Sequence, residues 1–166
     1  MRKKLNSRSG LSLVEMMAAT VILILLGLIL NTGLQMSMST YRSITAQSEL
    51  ELLLSTAVDA LADDLRYARN VTGAGTGFTY TSDSFGRGTS LTVDSDGQIK
   101  AGGKRLLSTG AYGLEGAYKV DAMDIQYAEP CFTIQLTVAT QDGRISVSTP
   151  EEGVTVRCLN PPGETV

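Results

Sequence analysis

Residues 11–30 read LSLVEMMAATVILILLGLIL, and the reading of this stretch decides the fold. Twenty helical residues rise about 30 Å, the hydrocarbon thickness of a bilayer. Glu15 is the only ionisable residue within it. Just ahead, Arg2, Lys3, Lys4 and Arg8 put four positive charges and no acid into ten residues. A basic leader of this kind stays cytoplasmic and sends the rest of the chain outward. A buried helix of a soluble protein has no need of such charge asymmetry. A secretory signal cut after Ser39 competes, because Ser37-Met38-Ser39 has the small-x-small form of a cleavage site. Its apolar region would be only about 7–15 residues, and this one is longer.

Moving outward, Leu34 to Thr72 contains neither Gly nor Pro. That gives permission for a long helix, since those two residues are its main breakers. Leu50, Leu54, Ala57, Leu61, Leu65 and Ala68 recur at steps of four, three, four, four and three, a single apolar stripe at helical period. The stripe is too short to establish a coiled coil, so packing on a sheet is the expected use. One helix from Leu11 to Arg69 would hold 59 residues and span about 88 Å. Gly27 and Gly33, with Asn31 and Thr32, mark its softest part, where unwinding or bending is expected in an assembled fibre.

Beyond residue 72 the pattern inverts, with eleven glycines between Gly73 and Gly116. Short alternating runs come next. Phe132, Ile134, Leu136 and Val138 alternate with polar residues, and Asp142-Gly143 predicts a two-residue hairpin turn. That register opposes Val138 to Val147 and Thr140 to Ile145. Met123, Ile125 and Tyr127 form an earlier run, and Val154, Val156 and Cys158 a later one. Asp96-Gly97 suggests another turn, but two-residue parity there would oppose Val93 to Lys100, so a bulge or longer loop is expected. The fold class is therefore α+β: a long N-terminal helix, transmembrane in its first half, packed on a small antiparallel sheet. Its divisions are a basic leader (1–10), the transmembrane half of the helix (11–33), the amphipathic half (34–70), and a Gly-rich connector with the sheet domain (71–166).

Composition excludes several chemistries. The chain has no His, which removes Ser-His-Asp and Cys-His catalysis and the commonest zinc ligand. The net charge is −3, and outside the first ten residues the body stands at −7. An acidic body is a poor match for direct nucleic-acid binding, which needs a basic stripe. Gly73-Ala74-Gly75-Thr76-Gly77 lacks the Lys-Ser/Thr ending of a phosphate loop. Asp94-Ser95-Asp96-Gly97 is only a fragment of a calcium loop. No cofactor, metal site or catalytic residue is expected, and the chain reads as no enzyme.

The chemistry-bearing feature is the junction Ser9-Gly10-Leu11-Ser12-Leu13-Val14-Glu15. A carboxylate inside a bilayer is expensive and asks for a partner. It can also snorkel, because Glu15 lies about one turn from the start of the span. The junction resembles the class III signal of type IV prepilins and pseudopilins, whose typical form is a basic leader followed by G-F-T-L-V-E. Here Gly10-Leu11-Ser12-Leu13-Val14-Glu15 stands in that place, with Leu11 for the usual Phe and Ser12 for the usual Thr. The resemblance covers about the first 35 residues by motif and the remainder by architecture alone.

That resemblance implies several roles. Gly10 and Leu11 would flank the cut made by a prepilin peptidase. Leu11 would become the new N-terminus and be N-methylated, and Glu15 would attract the amine of a neighbouring subunit during assembly. The implied partners are the peptidase, other pilin or pseudopilin subunits, an inner-membrane assembly platform and membrane lipid. The implied function is a structural subunit of a type IV pilus or of a type II secretion or competence pseudopilus. A minor subunit fits the irregular Gly-rich region better than the major one. The protein would sit in the membrane as a single pass, N-terminus cytoplasmic and C-terminal domain outside, and then in the fibre. The rival reading is a single-pass anchored binding domain that never polymerises. Cys131 and Cys158 could bridge, as thiols outside the cytoplasm usually do and as the C-terminal pair of many pilins does, or remain two free thiols.

Overall fold

A computed structural model describes residues 12–107 and 117–160. The chain divides into two units, Met1–Arg42 and Ser43–Val166. One helix, α1 (Leu13–Arg66), supplies the described part of the first unit and opens the second. It passes through Gly27 and Gly33 without a break, and a Cβ at either would meet nothing within 4 Å. The unwinding or bending expected there concerns an assembled fibre; in the single chain the helix is not unwound at these residues.

In the second unit α1 buries Leu50, Leu53, Ala57, Leu61 and Leu65, with Ala68 just beyond its end. The sequence stripe placed Leu54 in that line. The structure puts Leu53 there and leaves Leu54 half-buried on the flank, beside Val58, Ala60 and Ala62. The covered arc is broader than one stripe because strands pack around the helix rather than along a single seam. Four residues past its end, where the chain has already turned into the first strand, Asn70 adopts φ 49°, a left-handed conformation that Asn tolerates better than most residues.

Ten strands follow among the described residues of the unit. β1 (Arg69–Thr72), β2 (Thr79–Ser82) and β3 (Gly86–Thr89) make one sheet in that order. β4 (Leu91–Val93), β5 (Ile99–Ala101) and β6 (Lys104–Arg105) make a second. β7 (Tyr118–Ala128), β8 (Cys131–Thr140), β9 (Ser146–Ser148) and β10 (Val154–Arg157) make the third, with β8 central: β7 lies on one side, and β9 and β10 pair with different stretches of the other. All pairings are antiparallel. Among its described residues the Gly-rich region thus holds five short strands, β2 to β6, and is not mere connector.

The alternation of β8 works as the sequence pattern requires, with Phe132, Ile134, Leu136 and Val138 all buried. Opposite them on β7 stand Tyr127, Ile125, Met123 and Val120. The β8–β9 register pairs Val138 with Val147, and Thr140 N–H donates to Ile145 O at 2.9 Å, as expected. The turn itself sits one residue earlier than expected. Gly143 N–H donates to Thr140 O at 2.8 Å, which closes the turn over Gln141 and Asp142, and Gly143 takes the left-handed position at φ 68°. The other hairpin needs the longer loop that parity demanded. Val93 pairs with Ile99, and Ser95-Asp96-Gly97 form the loop, with Gly97 N–H on Asp94 O at 2.9 Å. Gly97 is required twice over: its φ is 71°, and a Cβ there would lie 2.5 Å from Lys119 Cβ.

Phe78, Tyr80, Tyr127 and Phe132 form an aromatic cluster in the core, with Tyr127 and Phe132 ring centroids 4.7 Å apart. The two cysteines are free thiols in this structure, so the bridge left open by the sequence is not formed. Strand parity explains why. Phe132 and Val156 pair on the core face, so the neighbouring pair, Cys131 and Arg157, faces the other way. Cys158, one further on, returns to the core face and donates its S–H to Ala68 O at 3.2 Å. Thiols whose Cβ vectors leave opposite faces cannot bridge without backbone movement.

Candidate functional site

The described helix opens on Ser12. Its carbonyl accepts from Met16 N–H at 3.1 Å, the first helical hydrogen bond, and its own N–H donates to Glu15 Oε2 at 2.9 Å. Ser12 is the N-cap and Glu15 the third helical residue, so Ser12-Leu13-Val14-Glu15 carries half of a capping box: the acid reaches back to an amide that helix geometry leaves unpaired. The S-x-x-E spacing carries this signal in the sequence itself. Glu15 therefore has one oxygen engaged within its own chain. Gly10 and Leu11, the expected cleavage and methylation positions, lie outside the described residues.

From Leu13 to Leu30 every side chain is exposed, Leu13 at 77 % and Ile29 at 68 %. Leaving such residues in water is unfavourable, at about 25 cal/mol for each Å² of apolar surface. The threonine hydroxyls in and just past the run need no outside partner. Thr20 Oγ1 donates to Met17 O at 2.8 Å and Thr32 Oγ1 to Leu28 O at 2.8 Å, each back onto its own helix. Only a non-aqueous surrounding suits a helix that is apolar on all sides and satisfies its hydroxyls internally. By length and composition this part of α1 can cross a membrane, which is compatible with a single-pass anchor.

Among the described residues of the second unit, a hollow of about 300 Å³ is lined by Asp63, Asp64, Tyr67, Asp83, Phe85 and Leu106 among others. Its acids are mostly occupied. Asp64 accepts from Tyr80 Oη and, at 2.5 Å, from Ser82 Oγ, while Asp83 pairs with Arg69 at 3.4 Å in an exposed contact. Burial, and then the hydrogen bond and charge of Asp64, push the Tyr80 hydroxyl far above its ordinary range. This is a polar clamp between α1 and β2. A second clamp joins Tyr118 Oη to Glu49, and that hydrogen bond, followed by burial, pushes Tyr118 up to about 12. Tyr127 Oη is buried and finds no hydrogen-bond partner among the described residues.

The weaker sequence candidates are spoken for by the fold. Gly75 N–H donates to Tyr127 O at 3.1 Å and its carbonyl accepts from Tyr127 N–H at 3.0 Å, so that amide does not face a phosphate. Asp94 binds Lys100 at 2.5 Å and the Ser95 amide at 2.8 Å, and these contacts hold its carboxyl below the usual range. Among the described residues no group of three or more His, Cys, Asp or Glu side chains is arranged to hold a metal ion. Compared with known proteins, the chain matches no family model, no curated protein and no solved structure.

Proposed function

We infer that this chain is a prepilin-like structural subunit, anchored by α1, trimmed by a prepilin peptidase between Gly10 and Leu11, and built into a type IV pilus or a secretion or competence pseudopilus. A minor-subunit role suits its irregular region of short strands. Its work in this reading is mechanical and not catalytic. The observation that carries it is the apolar run Leu13–Leu30, exposed on every side in the chain, opening the same helix that a sheet covers over Leu50–Leu65. A surface that is fully apolar in lipid suits packing against copies of itself after extraction. The junction Gly10 to Glu15 adds the processing signal that the prepilin family shares.

Two measurements test it. Intact mass of the membrane-extracted protein should show loss of residues 1–10 and gain of one methyl group. A chain that retains Met1 defeats the reading. Glu15 is then probed with paired variants. Glu15→Gln keeps an acceptor for the Ser12 amide but removes the charge, whereas Glu15→Leu removes both. If the charge matters for assembly, both variants lose fibre incorporation while remaining in the membrane. The non-polymerising anchored domain is favoured by one observation, the Ser12–Glu15 hydrogen bond, because capping alone accounts for the acid. Under that rival, Glu15→Gln behaves as wild type and residues 1–10 stay on.

A further inference from the structure

The chain has Asn at 6, 31, 70 and 160, and Asn70 alone heads an Asn-x-Ser/Thr triplet, Asn70-Val71-Thr72. Such a triplet, with any residue but Pro in the middle, is the acceptor signal for N-linked sugar when it lies on the surface of an exported domain. The fold gives it that setting. The triplet lies beyond α1, in β1. The β1–β2 register pairs Arg69 with Thr81 and Thr72 with Thr79, so Asn70 and Val71 together oppose Tyr80 alone. This is a bulge, which re-aims a side chain where it interrupts the ladder. Val71 is turned into the core at 6 % exposure, while Arg69, Asn70 and Thr72 are exposed.

The left-handed φ of 49° at Asn70 asks for Asn, Asp or Gly, and any of the three would serve it. Backbone geometry therefore accounts for one member of the triplet and not for the signal. Thr72 Oγ1 shares a hydrogen bond with Thr79 Oγ1 at 2.9 Å, a contact that a serine hydroxyl would also make. We propose that Asn70 is a modification site, taking an oligosaccharide from a lipid-linked diphosphate donor onto its side-chain nitrogen. The bond from Nδ2 to sugar C1 forms as the bond from C1 to the diphosphate oxygen breaks. The lipid diphosphate leaves with that electron pair, and Nδ2 gives up one proton. No core contact is sacrificed, because the side chain that the bulge turns inward is that of Val71. The inference rests on the anchored reading given above in one respect: the second unit must lie on the outer side of the membrane.

The test uses the full chain from membranes of the cells that make it, digested and mapped by mass spectrometry. The peptide that holds Asn70 should carry the added mass of whole sugar units, placed on Asn70 by its fragment spectrum. Asn70→Gly and Thr72→Ala should each lose that mass entirely, and Thr72→Ser should keep most of it. Asn70→Gly suits the left-handed backbone and Thr72→Ser retains the hydroxyl that meets Thr79, so this pair separates a lost signal from a lost fold. Bare Asn70 in the native protein, sugar confined to Ser or Thr side chains, or sugar that persists in Thr72→Ala each overturns the proposal. Intact mass on the same sample keeps the two readings apart. Loss of residues 1–10 with a bare Asn70 defeats the modification alone; sugar on Asn70 of a chain that keeps its leader supports the modification and defeats the subunit reading.

Discussion

The two stretches of α1 share a secondary structure and little else. Between Met16 and Tyr41 it carries no charged side chain; between Glu49 and Arg66 it carries five acids and one Arg. In the later stretch the large apolar residues are mostly covered, with Leu50, Leu61 and Leu65 at 0 % exposure, whereas in the earlier one all are exposed. The difference teaches that helix propensity decides neither where such a segment ends nor what it does. What matters is whether its apolar side chains find partners inside the chain. Where they do, charges occupy the solvent side and the segment belongs to a folded domain. Where they do not, charges are absent and any covering has to come from outside the chain.

The sharpest way to break this contrast is to make the same truncation in each stretch. Leu61→Ala should lower the stability of the folded domain by about 2–5 kcal/mol, because the side chain is wholly buried and the cavity cannot fully close. Leu23→Ala, at a residue 67 % exposed, should change it by no more than about 0.5 kcal/mol. Urea unfolding in a mild detergent, followed by a probe of the sheet domain, reads both. Comparable losses would mean that the earlier stretch has a partner within the chain.

A smaller effect sharpens the account of the covered stretch. Asp64 holds two hydroxyls, those of Tyr80 and Ser82, in residues only 1 % and 3 % exposed. Asp64→Ala strands both donors and should cost about 1–3 kcal/mol. Adding Tyr80→Phe to that variant should recover part of the loss, because removing both members of a buried pair is cheaper than removing one. If the double variant is less stable than Asp64→Ala, the clamp is not what joins α1 to β2.

Much of this architecture was legible in residue order, and the omissions have physical causes. Period-two alternation gave β8 and its register with β9, because a one-residue slip would turn every apolar side chain to water. Parity also ruled out a two-residue turn at Asp96-Gly97. β2 and β3 escaped notice because glycines and hydroxyl residues dilute the alternation: β3 is Gly-Arg-Gly-Thr, and β2 shows its pattern only through Tyr80 and Ser82 facing inward. Leu53 was passed over for Leu54 since either fits a helical period; only the strands choose between them. The divergence of the two thiols could have been read from the same alternation, since an inward Phe132 implies an outward Cys131. At the junction the S-x-x-E spacing marks an internal partner for Glu15, the Ser12 amide, beside the external partner and the snorkelling that a lone acid in an apolar run suggests.

The smallest expected effect concerns the other clamp, where the covered stretch begins. Tyr118 Oη donates to Glu49, a contact that favours the protonated phenol and holds its pKa at about 12. In the unfolded chain a tyrosine titrates near 10. A group whose pKa is raised on folding adds stability that is fully present below the unfolded value and is lost as pH rises through the folded one. The contribution of Tyr118 should therefore be constant below about pH 10 and fade between about pH 10 and 12. Tyr80, shifted in the same direction, loses its share at still higher pH. Ultraviolet phenolate titration of the folded domain should show one tyrosine near 12 that disappears in Tyr118→Phe and moves towards 10 in Glu49→Gln. Persistence of that titration in Glu49→Gln would assign the shift to burial, and the first contact between the covered stretch and β7 would then be packing rather than the hydrogen bond.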